Sequence, residues 1–199
     1  MMGILAMIVA YLVGSIPFGY LLVRMTTGRD VRATGSGNIG ATNVLRTNGK
    51  SAGIATLALD ILKGVLAVWI AARLTNGSVE WMSLAALAVM VGHSFPVFLK
   101  FQGGKAVATF TGAFLYLTPV PLLAVAVVFL IIVAMTRQIS AGSILAAGTF
   151  PLGVVLILHP PALVVVVSIL AAALIVYRHR DNLGRLKAGT EGLFQWNRL

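Results

Sequence analysis

Three stretches of this chain collect residues that can hold an anion and act on a polar substrate. The first runs Thr34-Gly35-Ser36-Gly37-Asn38-Ile39-Gly40-Ala41-Thr42-Asn43 and closes at Arg46. Its glycines let backbone N–H groups turn toward an anion, Ser36, Asn38, Thr42 and Asn43 add uncharged donors, and Arg46 supplies a fork for phosphate. Gly35, Gly37 and Gly40 match the spacing GxGxxG, but the dinucleotide fingerprint needs a preceding strand. A long apolar stretch precedes this one, so only the anion-binding physics carries over. The second stretch opens at Gly92-His93 and ends in Gly103-Gly104-Lys105, with Thr109 one turn further on. It is no Walker A loop, because no glycine stands five positions before Gly104 and no Ser or Thr follows Lys105. Two glycines and a lysine at an expected helix start still make an anion cradle; the other reading of Lys105 is a membrane-edge lysine snorkelling to water. The third stretch holds His179, Asn182, Arg185, Gly189 and Glu191. His179 and Asn182, three apart, share one helical face.

Two charges, Asp60 and Lys63, fall inside an apolar stretch, where charge is costly and is usually paired or functional. At this spacing they can pair with each other, on a small-residue face of Gly53, Thr56, Gly64 and Ala67 suited to close helix packing. His93 reads first as a packing histidine. His159 receives no role. Three histidines and five acids in no ligand-like spacing predict no metal site and no cofactor. The chain has no cysteine and no Gly-x-Ser-x-Gly elbow, which removes thiolate chemistry and the serine-hydrolase turn.

What must position these residues is a membrane bundle. Of the 199 residues, 59% are hydrophobic and 10% charged, against roughly half and a quarter in soluble domains. Mean hydropathy is +0.98. Apolar stretches near 2–23, 53–74, 81–99, 119–136, 141–158 and 160–177 approach the roughly 20 residues a membrane helix needs, and a shorter one covers 105–118. The first lacks a basic leader and is too long for a cleaved signal. Basic and neutral connections alternate if 105–118 crosses. All fifteen Lys and Arg except Lys63 and Arg73 then lie on one side. The positive-inside rule yields an all-α protein of seven transmembrane helices, N-terminus outside and C-terminus inside. A re-entrant 105–118 would break the alternation. All three polar stretches lie on the inner, cytoplasmic face of a single domain spanning 1–199, with no internal repeat and no linker.

These motifs, in this order, resemble the bacterial acyl-phosphate:glycerol-3-phosphate acyltransferase family over the whole chain. The resemblance implies transfer of a fatty acyl group from acyl phosphate to the 1-hydroxyl of glycerol 3-phosphate, giving 1-acylglycerol 3-phosphate and phosphate, in the inner membrane. On this reading Ser36, Lys105, His179 and Asn182 serve the chemistry. Gly37, Asn38, Thr42, Asn43, Arg46, Gly103, Gly104, Thr109, Arg185 and Glu191 hold substrate. Asp60, Lys63 and His93 support them from behind. The family usually has glycine where Ala106 stands and often lysine at Gln102; Ala106 fits there if that position has ordinary helical dihedrals. A different acyltransferase family uses acyl thioesters with a His-x4-Asp dyad. Here Phe98, Val164 and Gly184 occupy the corresponding places, which favours acyl phosphate as donor.

The expected partners are glycerol 3-phosphate, acyl phosphate and membrane lipids, with no nucleic acid; the oligomeric state is left open. The rival is a transporter of phosphate or an organic phosphate, which would also want a cationic pocket among membrane helices. Such proteins often carry internal repeats and midplane sites. A membrane scaffold whose loops bind anionic lipid is a further alternative.

Overall fold

The computed structural model describes residues 1–194, so Arg198, counted above among the inner cations, lies outside the described residues. No strand occurs among them. They form two compact units, Met1–Tyr116 and the part from Leu117 onward, each taken by itself.

The first unit opens with α1 (Met2–Ser15) and α2 (Phe18–Thr27). The expected span 2–23 is therefore two helices in a row. Pro17 has no N–H to donate and drives the residue before it out of helical geometry, and Ile16 is extended at φ −66°, ψ 114°. A 3₁₀ turn at Val31–Ala33 and the first polar loop lead to α3 (Ala41–Asn48) and the long α4 (Lys50–Leu74). Next come α5 (Val79–Ser94), a 3₁₀ turn at Val97–Leu99, the second polar loop and α6 (Val107–Leu117). α1 packs on α4 and α5, and α2 and α3 pack on α4. α4 and α6 meet at backbone distance: a Cβ on Gly64 would lie 2.3 Å from the Thr109 carbonyl oxygen, and one on Gly112 would lie 1.9 Å from that of Ile61. The small-residue face predicted on α4 is thus in use.

The second unit holds α7 (Pro119–Thr136), α8 (Ile139–Leu158), α9 (Ala162–Arg178) and α10 (Arg180–Lys187). Pro119 opens α7, a position where the missing N–H costs nothing. α7 packs on α8 and α8 on α9. α9 and α10 meet at His179 with a bend of 59°.

Side chains are sorted as they are in a bilayer. Ala6, Ala10, Ala67 and Ala71 are buried, while Ile4, Ile8, Leu12, Leu57, Leu62 and Leu66 on the same helices point outward. Among the described residues five helical stretches are long and apolar enough to cross: Met2–Thr27, Lys50–Leu74, Val79–Leu99, Pro119–Thr136 and Ile139–Leu158, with α9 and α10 together a bent sixth. The expected crossing at 105–118 is only the 11-residue α6, which rises about 16 Å, roughly half the hydrocarbon thickness.

Candidate active site

The first loop is built around one side chain. Asn43, buried in α3, donates through Nδ2 to the carbonyls of Val31 (3.2 Å), Thr34 (3.1 Å) and Asn38 (2.8 Å). Its Oδ1 accepts from the Ser36 N–H at 2.8 Å. This knot shapes the turn through Gly35 and Gly37, whose φ of 60° and 70° lie in the left-handed region. Asn38 Oδ1 accepts from the Gly40 N–H at 2.8 Å, just ahead of α3. Ser36 and Arg46 are exposed and Thr42 is half-buried. Upstream, Asp30 and Arg32 lock together at 2.7 Å, with the guanidinium over the Tyr20 ring. The hydrogen bonds from Arg32 hold the Asp30 carboxyl below its ordinary range.

The second loop shares a core with the first. Leu99 packs with Val23, Val31, Ile39 and Val44 in one apolar cluster, so the two polar segments stand over common ground. Lys100, Phe101 and Ala106 all carry positive φ, at 51°, 63° and 59°. The Gly104 N–H donates to the His93 carbonyl at 3.0 Å. Lys105 is half-buried beside it. Below the loops Asp60 and Lys63 form an ion pair at 2.7 Å, and Lys63 Nζ reaches His93 Nδ1 and the Ile16 carbonyl, both at 2.9 Å.

In the second unit, His179 is buried at the α9–α10 bend, its Nδ1 2.8 Å from the Ile175 carbonyl. A carbonyl only accepts, so Nδ1 carries the proton and Nε2 is the ring atom whose protonation can change. Glu191 gathers its neighbours: Oε1 accepts from Asn182 Nδ2 (2.6 Å) and Ser140 Oγ (2.7 Å), and Oε2 from Arg185 Nε (2.7 Å). Burial pushes the Glu191 carboxyl up, but the three hydrogen bonds and the Arg185 charge outweigh it and hold the group below its ordinary range. The Ser140 hydroxyl, the Asn182 amide and the Arg185 guanidinium are therefore arranged around one fixed carboxylate.

The family model for glycerol-3-phosphate acyltransferase matches residues 4–189. The chain belongs to the glycerol-3-phosphate acyltransferase family. A relative of that name from Geobacter sulfurreducens is 48% identical over 94% of this chain and 95% of its own length. One from Clostridioides difficile is 42% identical over 94% and 93%. Among solved structures, crystals of PlsY (YgiH), an integral membrane glycerol 3-phosphate acyltransferase, match this fold. The glycerol 3-phosphate form is 38% identical with a TM-score of 0.91, covering 97% of this chain and 96% of its own. The lysophosphatidic acid form is 36% identical with a TM-score of 0.88, covering 98% and 97%.

Within this acyltransferase several expected side chains take other places. Asn43, read as a donor to substrate, has its amide committed to the loop's own backbone. Glu191, read as a substrate ligand, has both oxygens taken by protein donors. Thr109 is fully buried, its carbonyl against Gly64 where α4 and α6 meet. Lys105 precedes α6 by two residues and does not sit in its first turn. Ala106 is left-handed, not helical, with φ 59° immediately before α6. Ser140 went unnoticed in the sequence; a lone serine just past Thr136-Arg137-Gln138 is its only trace there.

Proposed function

We propose that this integral membrane protein moves a fatty acyl group from acyl phosphate to the 1-hydroxyl of glycerol 3-phosphate. The products are 1-acylglycerol 3-phosphate and inorganic phosphate. The observation that carries the reading is the shared core beneath the two glycine-rich loops, which stations Arg46 and Lys105 on neighbouring segments for two phosphate-bearing substrates. In this reading the chain works as a single domain. The chain crosses the inner membrane seven times, α6 completing the set by local thinning of the bilayer, with all three loops on the cytoplasmic face.

The substrate hydroxyl oxygen attacks the acyl carbonyl carbon, the carbon–oxygen bond to phosphate breaks, and phosphate leaves with the electron pair. The donor is already an activated anhydride, so no enzyme nucleophile is needed. What the protein supplies is proximity and charge stabilisation. Arg46 and Lys105 hold phosphates, with Ser36, Asn38 and Thr42 as neutral donors, while His179 and Asn182 orient the reactants. The hydroxyl proton goes to a substrate phosphate.

Purified protein in detergent, given acyl phosphate and glycerol 3-phosphate, should release lysophosphatidic acid and phosphate without vesicle or gradient. Acyl thioester should not replace acyl phosphate. Absence of transfer in detergent, with uptake of organic phosphate into vesicles, would establish the transporter instead.

A further inference from the structure

Asp60, Lys63 and His93 make a buried cluster that the chemistry above leaves unused. Their side chains are 2–4% exposed. Lys63 Nζ lies 2.7 Å from Asp60 Oδ1 and 2.9 Å from His93 Nδ1, and His93 Nδ1 lies 3.6 Å from Asp60 Oδ1. Lys63 also donates to the Ile16 carbonyl at 2.9 Å, at the break Pro17 makes between α1 and α2, with the Phe18 ring beside the ammonium. One lysine therefore joins three elements: α4, α5 and the α1–α2 break.

The far side of His93 is the second loop. Its carbonyl accepts from the Gly104 N–H at 3.0 Å. Its ring fills the place of a Gly104 side chain, since a Cβ there would fall 2.0 Å from Nε2, and a Cβ on Gly103 would fall 2.2 Å from the His93 carbonyl oxygen. The loop rests on this histidine through backbone and ring together. An ammonium has donors only, so its bond to Nδ1 makes that nitrogen the acceptor. The ring proton is thereby assigned to Nε2, the nitrogen facing Gly104.

We infer that Asp60, Lys63 and His93 are positioning residues for Lys105. Asp60 pairs with Lys63 and orients it, Lys63 holds His93 as its neutral Nε2–H tautomer, and the fixed ring sets the Gly103–Gly104 backbone from which Lys105 reaches a substrate phosphate. The inference rests on the phosphate-binding role proposed above for Lys105.

Two measurements test it. In His159→Gln/His179→Gln protein His93 is the sole histidine, and nitrogen-15 NMR reads its tautomer. The neutral Nε2–H form is expected; the Nδ1–H form or an imidazolium near neutral pH would overturn the proposal. The second is a double-mutant cycle in acyl transfer. Asp60→Asn/Lys63→Met removes both charges together and leaves no unpaired ion buried. It should fold and lose about 10-fold or more in kcat/KM, mostly through KM for one phosphate substrate. In a Lys105→Ala background the same pair of changes should cost less than about 2-fold. Equal losses in both backgrounds would refute positioning while leaving Lys105 a phosphate ligand. Wild-type kinetics for Lys105→Ala would instead refute the phosphate role beneath it. If the charge-free pair does not fold, His93→Gln takes its place in the cycle with the same criteria.

Discussion

Removing a cation that holds a phosphate forfeits a charge-assisted hydrogen bond, worth about 1.5–3 kcal/mol. Arg46→Ala or Lys105→Ala should accordingly lower kcat/KM by roughly 10- to 100-fold or more, measured by phosphate release from folded protein. His179→Gln separates two mechanisms, since glutamine can donate a hydrogen bond but takes no proton at neutral pH. With a substrate phosphate as base, the variant keeps measurable activity and a pH profile of unchanged shape. Near-complete inactivity in folded, substrate-binding protein would make His179 the general base, a role worth typically 100- to 10,000-fold. Glu191 yields a stability prediction. Its carboxyl is held below the ordinary glutamate value by Ser140, Asn182 and Arg185 against the opposing effect of burial. That stabilisation is complete above the ordinary value, and it is lost as pH falls through the lowered native one. Thermal midpoints in detergent should drop on acidification across that range, and Glu191→Gln should flatten the dependence.

At the scale of elements, the entry to α6 stands out. Ala106 holds φ 59°, a conformation that costs an L-residue with a Cβ roughly 1–2 kcal/mol. Ala106→Gly relieves this and loses part of the gain to the greater freedom of an unfolded glycine. A net stabilisation of about 1 kcal/mol is expected, readable as a raised unfolding temperature with activity retained; a lowered temperature would contradict it. Ala106 also marks where the sequence is silent. Composition and hydropathy located nearly every long helix, because apolar runs of membrane length have few other uses. The polar stretches were legible as a site for the same reason, since polar sequence is scarce in such a chain. Dihedrals at single residues were not legible, and nor were the partners chosen by versatile side chains. Asn43 can bond substrate or backbone with equal chemistry. Only the fold, by bringing three carbonyls and the Ser36 N–H to its amide, decides between them. The break at Ile16 follows from Pro17, yet nothing in the sequence pairs its carbonyl with Lys63.

For the whole molecule, the alternating cations lead to a topology test. The chain has no cysteine, so single cysteines at Gly77 and Ala188 report cleanly on sidedness. They should label from opposite sides of the membrane; labelling from one side would remove the seven-span arrangement. The sorting of alanine inward and leucine outward has a thermal consequence. Where α4 and α6 touch through Gly64 and Gly112, parting the helices within a bilayer exposes them to lipid tails, not to water. The large heat-capacity increment that curves the stability of soluble proteins arises from wetting apolar surface, and that wetting is missing here. Separation of these helices should therefore follow an almost straight line in temperature, with no cold-side loss of structure.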